Sequence, residues 1–158
     1  MRLVREVEAA GDAGVRVLPA RAMRRALKAL TEREYAGEEG GLGGLLCEAV
    51  FERLNDARMD AVVAMSGQKP VGRCGLFQVG EIGRVCGCFV LPEHRGRGVG
   101  REMMGHVVRL ARRLMLRVVC LPIRSREAEA AGFFEACGFV RDGSVCEFVS
   151  PGQNCVWT

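Results

Sequence analysis

The chain has 158 residues and a mass of 17.2 kDa, a length typical of one domain. Apolar residues make up 49% of it, and 23 Lys plus Arg oppose 19 Asp plus Glu, for a net charge of +4. The apolar fraction excludes a disordered chain, and so small a charge does not by itself indicate a nucleic-acid binder. We expect a single domain over residues 1–158, because no linker or repeat divides the sequence.

The first third of the chain predicts one strand and two helices. Val15–Leu18 is a short apolar strand candidate, and Leu3–Val7 competes with it. Pro19 suits the first position of a helix. Arg21–Glu34 carries apolar residues at helical spacing, and Leu45–Leu54 does the same after a glycine-rich loop.

The middle of the chain predicts an antiparallel meander of three strands. The strand candidates are Met59–Ser66, Val71–Val79 and Ile82–Leu91, all rich in β-branched and other apolar residues. Gly67–Pro70 is expected to be the first turn, and Gly80 lies in the second.

The remainder predicts two further helices with strands around them. Apolar residues from Val99 to Leu114 recur at helical spacing, Arg117–Ile123 is a buried strand candidate, and Glu127–Cys137 is a helix that Gly138 ends. Three short strand segments follow: Phe139–Val140, Val145–Val149 and, less strongly, Cys155–Trp157. The order of elements predicts an α/β (α+β) fold, with a mixed, mostly antiparallel sheet of six or seven strands flanked by about four helices.

Eight cysteines raise the alternatives of disulfides, a metal site or core thiols. No apolar run is long enough for a signal peptide or a membrane span, so a cytoplasmic location and reduced thiols are expected. Cys86-x-Cys88 stands alone, and the histidines are His94 and His106. That spacing does not suit zinc, so we expect small apolar thiols and no metal.

The most informative stretch is VLPEHRGRGVGR, residues 90–101. A predicted strand ends, a loop with three glycines follows, and a helix begins. Unpaired amides and the dipole at a helix N-terminus favour anions, and glycines allow a phosphate to approach the backbone. Arg95, Arg97 and Arg101 add full positive charges. Neither the lysine-bearing P-loop pattern nor G-x-G-x-x-G is present, and the alternative is an ordinary turn with solvated arginines.

Two motifs resemble the GNAT superfamily of acyl-CoA-dependent N-acyltransferases. Arg95-x-x-Gly98-x-Gly100 matches that family's Arg/Gln-x-x-Gly-x-Gly/Ala signature, and EAEAAGFFEACGF (residues 127–139) is similar to its F-Y-E-x-x-G-F helix. The order of elements over residues 15–149 agrees as well. The resemblance implies an N-acetyltransferase that transfers an acetyl group from acetyl-CoA directly to a primary amine.

The resemblance also implies roles for particular residues. The amides from Gly96 to Arg101 would hold the coenzyme diphosphate, and the edge of the strand at 88–90 would bind the pantetheine arm beside a bulge. The Val90 amide would donate to the thioester carbonyl. The implied acetyl-CoA site comprises Cys88, Phe89, Val90, Arg95, Gly96, Arg97, Gly98, Val99, Gly100 and Arg101.

The catalytic residues are not predicted, because the sequence departs from the family at the acid and base positions. Phe134 stands where many members have a tyrosine that protonates the departing thiolate, and Glu127 stands where they have asparagine. The strand at 82–91 contains no acid, although Glu81 precedes it. Water or proximity could suffice, another side chain (Cys120, Ser125 or Tyr35) could replace the tyrosine, or the chain could be an acyl-CoA-binding sensor with little turnover. Cys88 is either a thiol near the acyl group or a small packed residue.

Charge is distributed unevenly along the chain. Residues 91–117 carry net +5 and residues 31–60 carry net −5. The acidic stretch is either a mobile lip around Glu38 and Glu39 that attracts a cationic amine or a solvated helix face.

The arginine-rich helix predicted from Val99 onward lacks the aromatic platform of a nucleic-acid binder. The expected partner is therefore a small-molecule or protein amine, without nucleic acid or membrane, and the C-terminal strands could pair in a homodimer.

Overall fold

The fold is described by a computed structural model over residues 13–36, 52–122, 131–142 and 147–149. The predicted segments Leu3–Val7 and Cys155–Trp157, and most of the predicted helix Leu45–Leu54, lie outside these residues, as do Ser125 and Glu127.

Seven strands form one sheet within this part of the chain, in the order β1-β2-β3-β4-β5-β7-β6. Their bounds are β1 Arg16–Pro19, β2 Met59–Ser66, β3 Lys69–Val79, β4 Ile82–Val90, β5 Val118–Pro122, β6 Val140–Asp142 and β7 Glu147–Val149. Every neighbouring pair is antiparallel except β4 and β5, which are parallel. The predicted fold class and the meander of β2, β3 and β4 are confirmed.

Helices cover both faces of the sheet. The α-helices whose bounds fall in the described residues are α1 Arg24–Glu34, α2 Val99–Arg113 and α3 Ala131–Ala136, and single 3₁₀ turns form there at Ala20–Ala22 and Pro92–His94. Helix α2 buries Met103, Met104 and Val107 against one face, in a core cluster that also receives Phe134 of α3. Helix α1 packs Leu27 and Leu30 against the opposite face. The sheet therefore separates two apolar layers.

Pro19 does not begin a helix, contrary to the prediction. It is the last residue of β1, where it pairs with Val62, and α1 begins five residues later at Arg24, after the Ala20–Ala22 turn. Strand β1 lies at the edge of the sheet, where proline is tolerated because one side of the strand has no partner strand.

The first turn of the meander is shorter than predicted. Lys69 and Pro70 belong to β3 and pair with Ser66 and Met65, so the turn narrows to Gly67 and Gln68. Gly67 adopts φ +59°, which glycine accepts without the strain that another residue would have in a tight hairpin.

The cysteines with described side chains are free thiols, and Cys74 and Cys120 are buried as small apolar residues. No group of three or more His, Cys, Asp or Glu side chains that could hold a metal occurs in the described ranges. Nor does any helix there have the length and apolar character needed to cross a membrane.

Candidate active site

The two central strands diverge part-way along their length. Strand β4 pairs with β5 only from Ile82 to Arg84, and the last pair joins Arg84 to Cys120. Along the rest of β4, no described strand takes up that edge. Its backbone N–H groups on that edge are therefore available to a ligand that lies along the strand.

A bulge lies in β4 beside this open edge. Gly75 of β3 pairs with Cys86, but Arg73 pairs with Phe89, so β4 contains one extra residue between these pairs. Gly87 in that interval adopts φ +56°, a left-handed conformation that glycine takes at least cost. The bulge predicted from the family resemblance is thus present.

The loop after β4 presents a helix N-terminus. Gly96 and Gly98 adopt φ +71° and +82°, and Gly98 is the N-cap of α2. The Glu102 amide donates to the Gly98 carbonyl at 3.0 Å, which is the first bond of the helix. The amides of residues 99–101 precede it and have no intrahelical acceptor. This end of α2 is suited to an anion.

Gly100 is required for a different reason. A Cβ at this position would lie 2.9 Å from Cζ of Phe133 on α3. The glycine thus allows α3 to pack closely on the start of α2, and the ring of Phe133 borders the same space as the loop.

Arg95 connects the loop to the end of β4. Its Nε donates to the Val90 carbonyl at 2.9 Å, and its guanidinium lies 5.8 Å from the centroid of the Phe89 ring. The hydrogen bond and the cation–π contact hold the arginine over the open edge of β4.

These features surround one cleft of about 790 Å³. All ten residues predicted for the acetyl-CoA site line this cleft. Five others line it as well: Ala13, His94, Glu102, Phe133 and Phe134. Of these five, the sequence indicated only His94 and Phe134. Ala13 and Phe133 were missed because they enter the cleft only through tertiary packing. The other histidine, His106, is not among the lining residues, and burial lowers its pKa.

Comparison with known proteins identifies the family. The family model described as the acetyltransferase (GNAT) family matches residues 23–139. The chain belongs to the GNAT acetyltransferase family. No curated protein matches it as a relative.

Solved structures of this family share the fold at low identity. A GNAT-family protein from Desulfovibrio desulfuricans is 18% identical with a TM-score of 0.68, covering 85% of this chain and 96% of its own. An acetyltransferase of Staphylococcus aureus is 14% identical with a TM-score of 0.68, covering 86% and 98%. Spermidine N-acetyltransferase from Vibrio cholerae, solved with CoA and spermine, is 19% identical with a TM-score of 0.63, covering 87% and 92%.

Phe134 occupies the position of the family's tyrosine and lines the cleft. It is 6% exposed, and its ring makes edge-to-face contacts with Phe133 at 4.9 Å and Phe139 at 6.0 Å. A buried ring without a transferable proton therefore stands where the family resemblance implies a tyrosine.

Three other candidate acids or bases lie away from the lining of the cleft. Glu81 is exposed at the far end of β4 and accepts from Arg117 at 3.2 Å. Cys120 is buried at the point where β4 and β5 separate. Tyr35 caps the C-terminus of α1. None of the three lines the cleft.

Cys88 shares a hydrogen bond with Cys74 on the α2 face of the sheet. This bond lowers the pKa of the Cys88 thiol, with a further contribution from Arg73, although burial opposes it. The same bond and burial raise the pKa of Cys74 well above its ordinary value. Cys88 is thus the thiol at the cleft that ionises more readily.

A buried ion pair lies behind the bulge, on the face that packs against α1. Arg73 is 6% exposed, and its Nε donates to Oε2 of Glu34 at 2.9 Å, with Nη2 donating to the same oxygen. A Cβ on Gly87 would lie 2.5 Å from Nη1 of Arg73. The bulge glycine thus provides the space that the guanidinium occupies.

The acidic stretch at 31–60 is largely neutralised where the structure describes it. Glu34 pairs with Arg73, Asp56 with Arg58, and Glu32 with Lys28. Glu38, Glu39 and Glu48 lie outside the described residues. An acidic lip that attracts a cation therefore gains no support from the acids that are paired.

Proposed function

We propose that this chain transfers an acetyl group from acetyl-CoA directly to a primary amine. The observation that carries the proposal is the meeting of three features in one cleft: the open edge of β4, the unpaired amides at the start of α2 and a set of arginines. The open edge of β4 suits the pantetheine arm of acyl-CoA, and the unpaired amides suit its diphosphate. The arginines suit the negative charge of that diphosphate.

The residues of the loop fit a diphosphate. Amides of residues 99–101 point away from the helix, and Gly96 and Gly98 leave the backbone accessible. Arg95, Arg97 and Arg101 line the same cleft. Backbone donors combined with guanidinium charges bind phosphates strongly.

The end of β4 fits the extended arm. The Leu91 amide donates to the Val71 carbonyl on β3 at 2.9 Å. Because amide direction alternates along a strand, the Val90 amide points to the opposite, open edge. There it can donate to a carbonyl of the donor molecule, as the family resemblance implied.

The alternative is an acyl-CoA-binding sensor with little turnover. Phe134 favours it, since this residue supplies no proton to a departing thiolate. The alternative shares the donor site with the transferase and differs only in the chemical step.

Two measurements test the proposal. Acetyl-CoA at about 100 times its Kd should stabilise the fold by about 2.7 kcal/mol, which is read as a rise in Tm. CoA thiol release in the presence of a panel of primary amines should reveal turnover. Stabilisation without release would establish the sensor, and failure of any acyl-CoA to bind would refute both functions.

A pair of glycine variants shows whether the cleft is the binding site. Gly98→Leu and Gly80→Leu both place a side chain on a left-handed backbone, with φ of +82° and +59°, so both carry a similar strain. Gly80 lies in the hairpin between β3 and β4 and does not line the cleft. Only Gly98→Leu should abolish the rise in Tm with acetyl-CoA. An equal rise in both variants would place the ligand elsewhere.

A further inference from the structure

Two cysteines face each other across the central strands. Arg73 of β3 pairs with Phe89 of β4, and one further step in that antiparallel register places Cys74 across from Cys88. Side chains directly opposite in such a pair have Cβ atoms about 4.5–5.5 Å apart. Cys74 is buried in the core cluster under α2, and Cys88 packs against the same cluster. The two thiols are therefore neighbours on the α2 face, in agreement with the hydrogen bond that they share.

The bulge directs Cys88 to that face. Residues two apart on a regular strand share a face, so Cys86 and Cys88 would point the same way without the extra residue in β4. Instead, Cys86 packs in the apolar layer under α1, and Cys88 packs on the α2 face. Gly87, with φ +56°, lies between them. Among the cysteines that the structure describes, Cys88 is the one that lines the cleft.

Cys88 is also the thiol of the pair that an electrophile can reach. Its side chain is half-buried, whereas Cys74 is 1% exposed. The hydrogen bond with Cys74 lowers the pKa of the Cys88 thiol, and the charge of Arg73 lowers it further, against the opposing effect of burial. The thiolate is the nucleophilic form of cysteine. The cleft thus contains a sulfur that is both accessible and favoured to ionise.

The proposed donor site leads toward this sulfur. The loop suited to the diphosphate follows the end of β4, so an arm that runs back along the open edge passes Val90 first and then approaches Cys88. The side chains of both residues pack on the α2 face, and both residues line the cleft. The acetyl end of the donor therefore lies on the side of the strand from which the Cys88 thiol projects.

Thioester exchange suits a cleft in which no acid stands at the position of Phe134. An amine that attacks the thioester must lose a proton, and the departing CoA thiolate must gain one. Attack by the Cys88 thiolate needs neither transfer. A bond forms between its Sγ and the carbonyl carbon, the bond from that carbon to the CoA sulfur breaks, and CoA leaves as a thiolate. The proton that Cys88 releases to water on ionising is balanced by the proton that the free CoA thiolate takes up.

We propose that Cys88 accepts the acetyl group of bound acetyl-CoA when no amine occupies the cleft, so that the chain acetylates its own thiol. The inference rests on the proposed function, because it uses the same donor site. Both sides of the exchange contain one thiol and one thioester, so CoA reverses the modification. One cleft then has two acceptors: an external amine by direct transfer, and Cys88 in its absence.

Incubation of the full chain with acetyl-CoA, without an amine, tests the modification. Intact mass spectrometry should show one added acetyl group that hydroxylamine or an excess of CoA removes, and peptide mapping should place it on Cys88. Cys88→Ala should lose this group. Cys86→Ala is the matched control, since it removes a thiol from the same strand on the opposite face, and it should keep the group.

The partner thiol provides a second test. Cys74→Ala removes the hydrogen bond that favours the Cys88 thiolate. It should slow the acetylation about 3- to 10-fold, because each unit of pKa changes the thiolate fraction tenfold and the greater nucleophilicity of a more basic thiolate offsets part of that loss.

The results that overturn the inference are distinct from those that overturn the proposed function. A rise in Tm with acetyl-CoA, without a labile acetyl group on Cys88, overturns the inference and leaves the proposed function intact. Equal acetylation of Cys88 in Gly98→Leu also overturns it, because the thiol would then react with acetyl-CoA from solution. Failure of any acyl-CoA to raise Tm refutes the proposed function, and the inference with it.

Discussion

Replacing Gly87 by alanine would test how the bulge and the buried ion pair depend on each other. Gly87 adopts φ +56°, and a Cβ there would lie 2.5 Å from Nη1 of Arg73. Ordinary contacts begin near 3.4 Å, so the guanidinium must move by roughly 1 Å. Gly80→Ala is the matched control, because its φ is +59° and its Cβ would meet nothing within 4 Å.

The two variants share one cost and differ in another. A left-handed conformation costs an ordinary residue about 1–2 kcal/mol, partly offset by the lower entropy of the unfolded alanine chain. Only Gly87→Ala also displaces Arg73 from Glu34, and breaking a buried ion pair costs about 3–5 kcal/mol. Because Arg73 can shift without complete loss of the bond, we expect Gly87→Ala to destabilise the fold by about 2–4 kcal/mol more than Gly80→Ala.

Urea unfolding followed by circular dichroism gives the two free energies, and thermal melts should differ by about 5–15 °C for a chain of this length. With Arg73→Ala in the background, Gly87→Ala should cost no more than Gly80→Ala, because the clash is gone. Equal destabilisation by Gly87→Ala and Gly80→Ala in the otherwise unaltered chain would show that the contact with Arg73 is not significant.

Three further predictions concern an ion pair, the missing acid and the thiol at the cleft. Hydrogen bonds, of which the one from Arg33 has the largest effect, lower the pKa of Glu93 from 4.5 to about 2. The ionised Glu93 carboxylate therefore stabilises the fold fully above pH 4.5, and this stabilisation is lost as pH falls toward 2. Glu93→Gln should flatten that part of the urea midpoint–pH curve, and an unaltered curve would contradict the pairing. Phe134→Tyr should raise kcat about 10²-fold or more if proton donation limits turnover, with little change in acetyl-CoA binding; an unchanged kcat would show that no acid is needed there. Cys88 should react with iodoacetamide faster than Cys74, by peptide mass spectrometry, and Cys74→Ala should slow it by removing the hydrogen bond that lowers the pKa; an unchanged rate would refute that role.

Much of the fold was predictable because local patterns agreed with the packing. The alternation and turn residues of the meander specify β2, β3 and β4, and the helical spacing from Val99 onward gives α2 its buried face. The errors lie at the ends of elements, where pairing between strands outweighs the local conformational preference of the residue. Pro19 and Pro70 look like helix and turn residues, but both extend strands by pairing with β2.

The candidate site divides in the same way. The sequence by itself determined the loop proposed to bind phosphate, since glycines, arginines and a helix start are adjacent along the chain and their chemistry is local. It also determined that Phe134 has no proton to donate. Only the tertiary structure decided the divergence of β4 from β5, the contact of Phe133 with Gly100, and the packing of Arg73 against Gly87 in the bulge. These features join residues far apart in the chain, and their positions depend on strand register and helix packing, which no local pattern specifies.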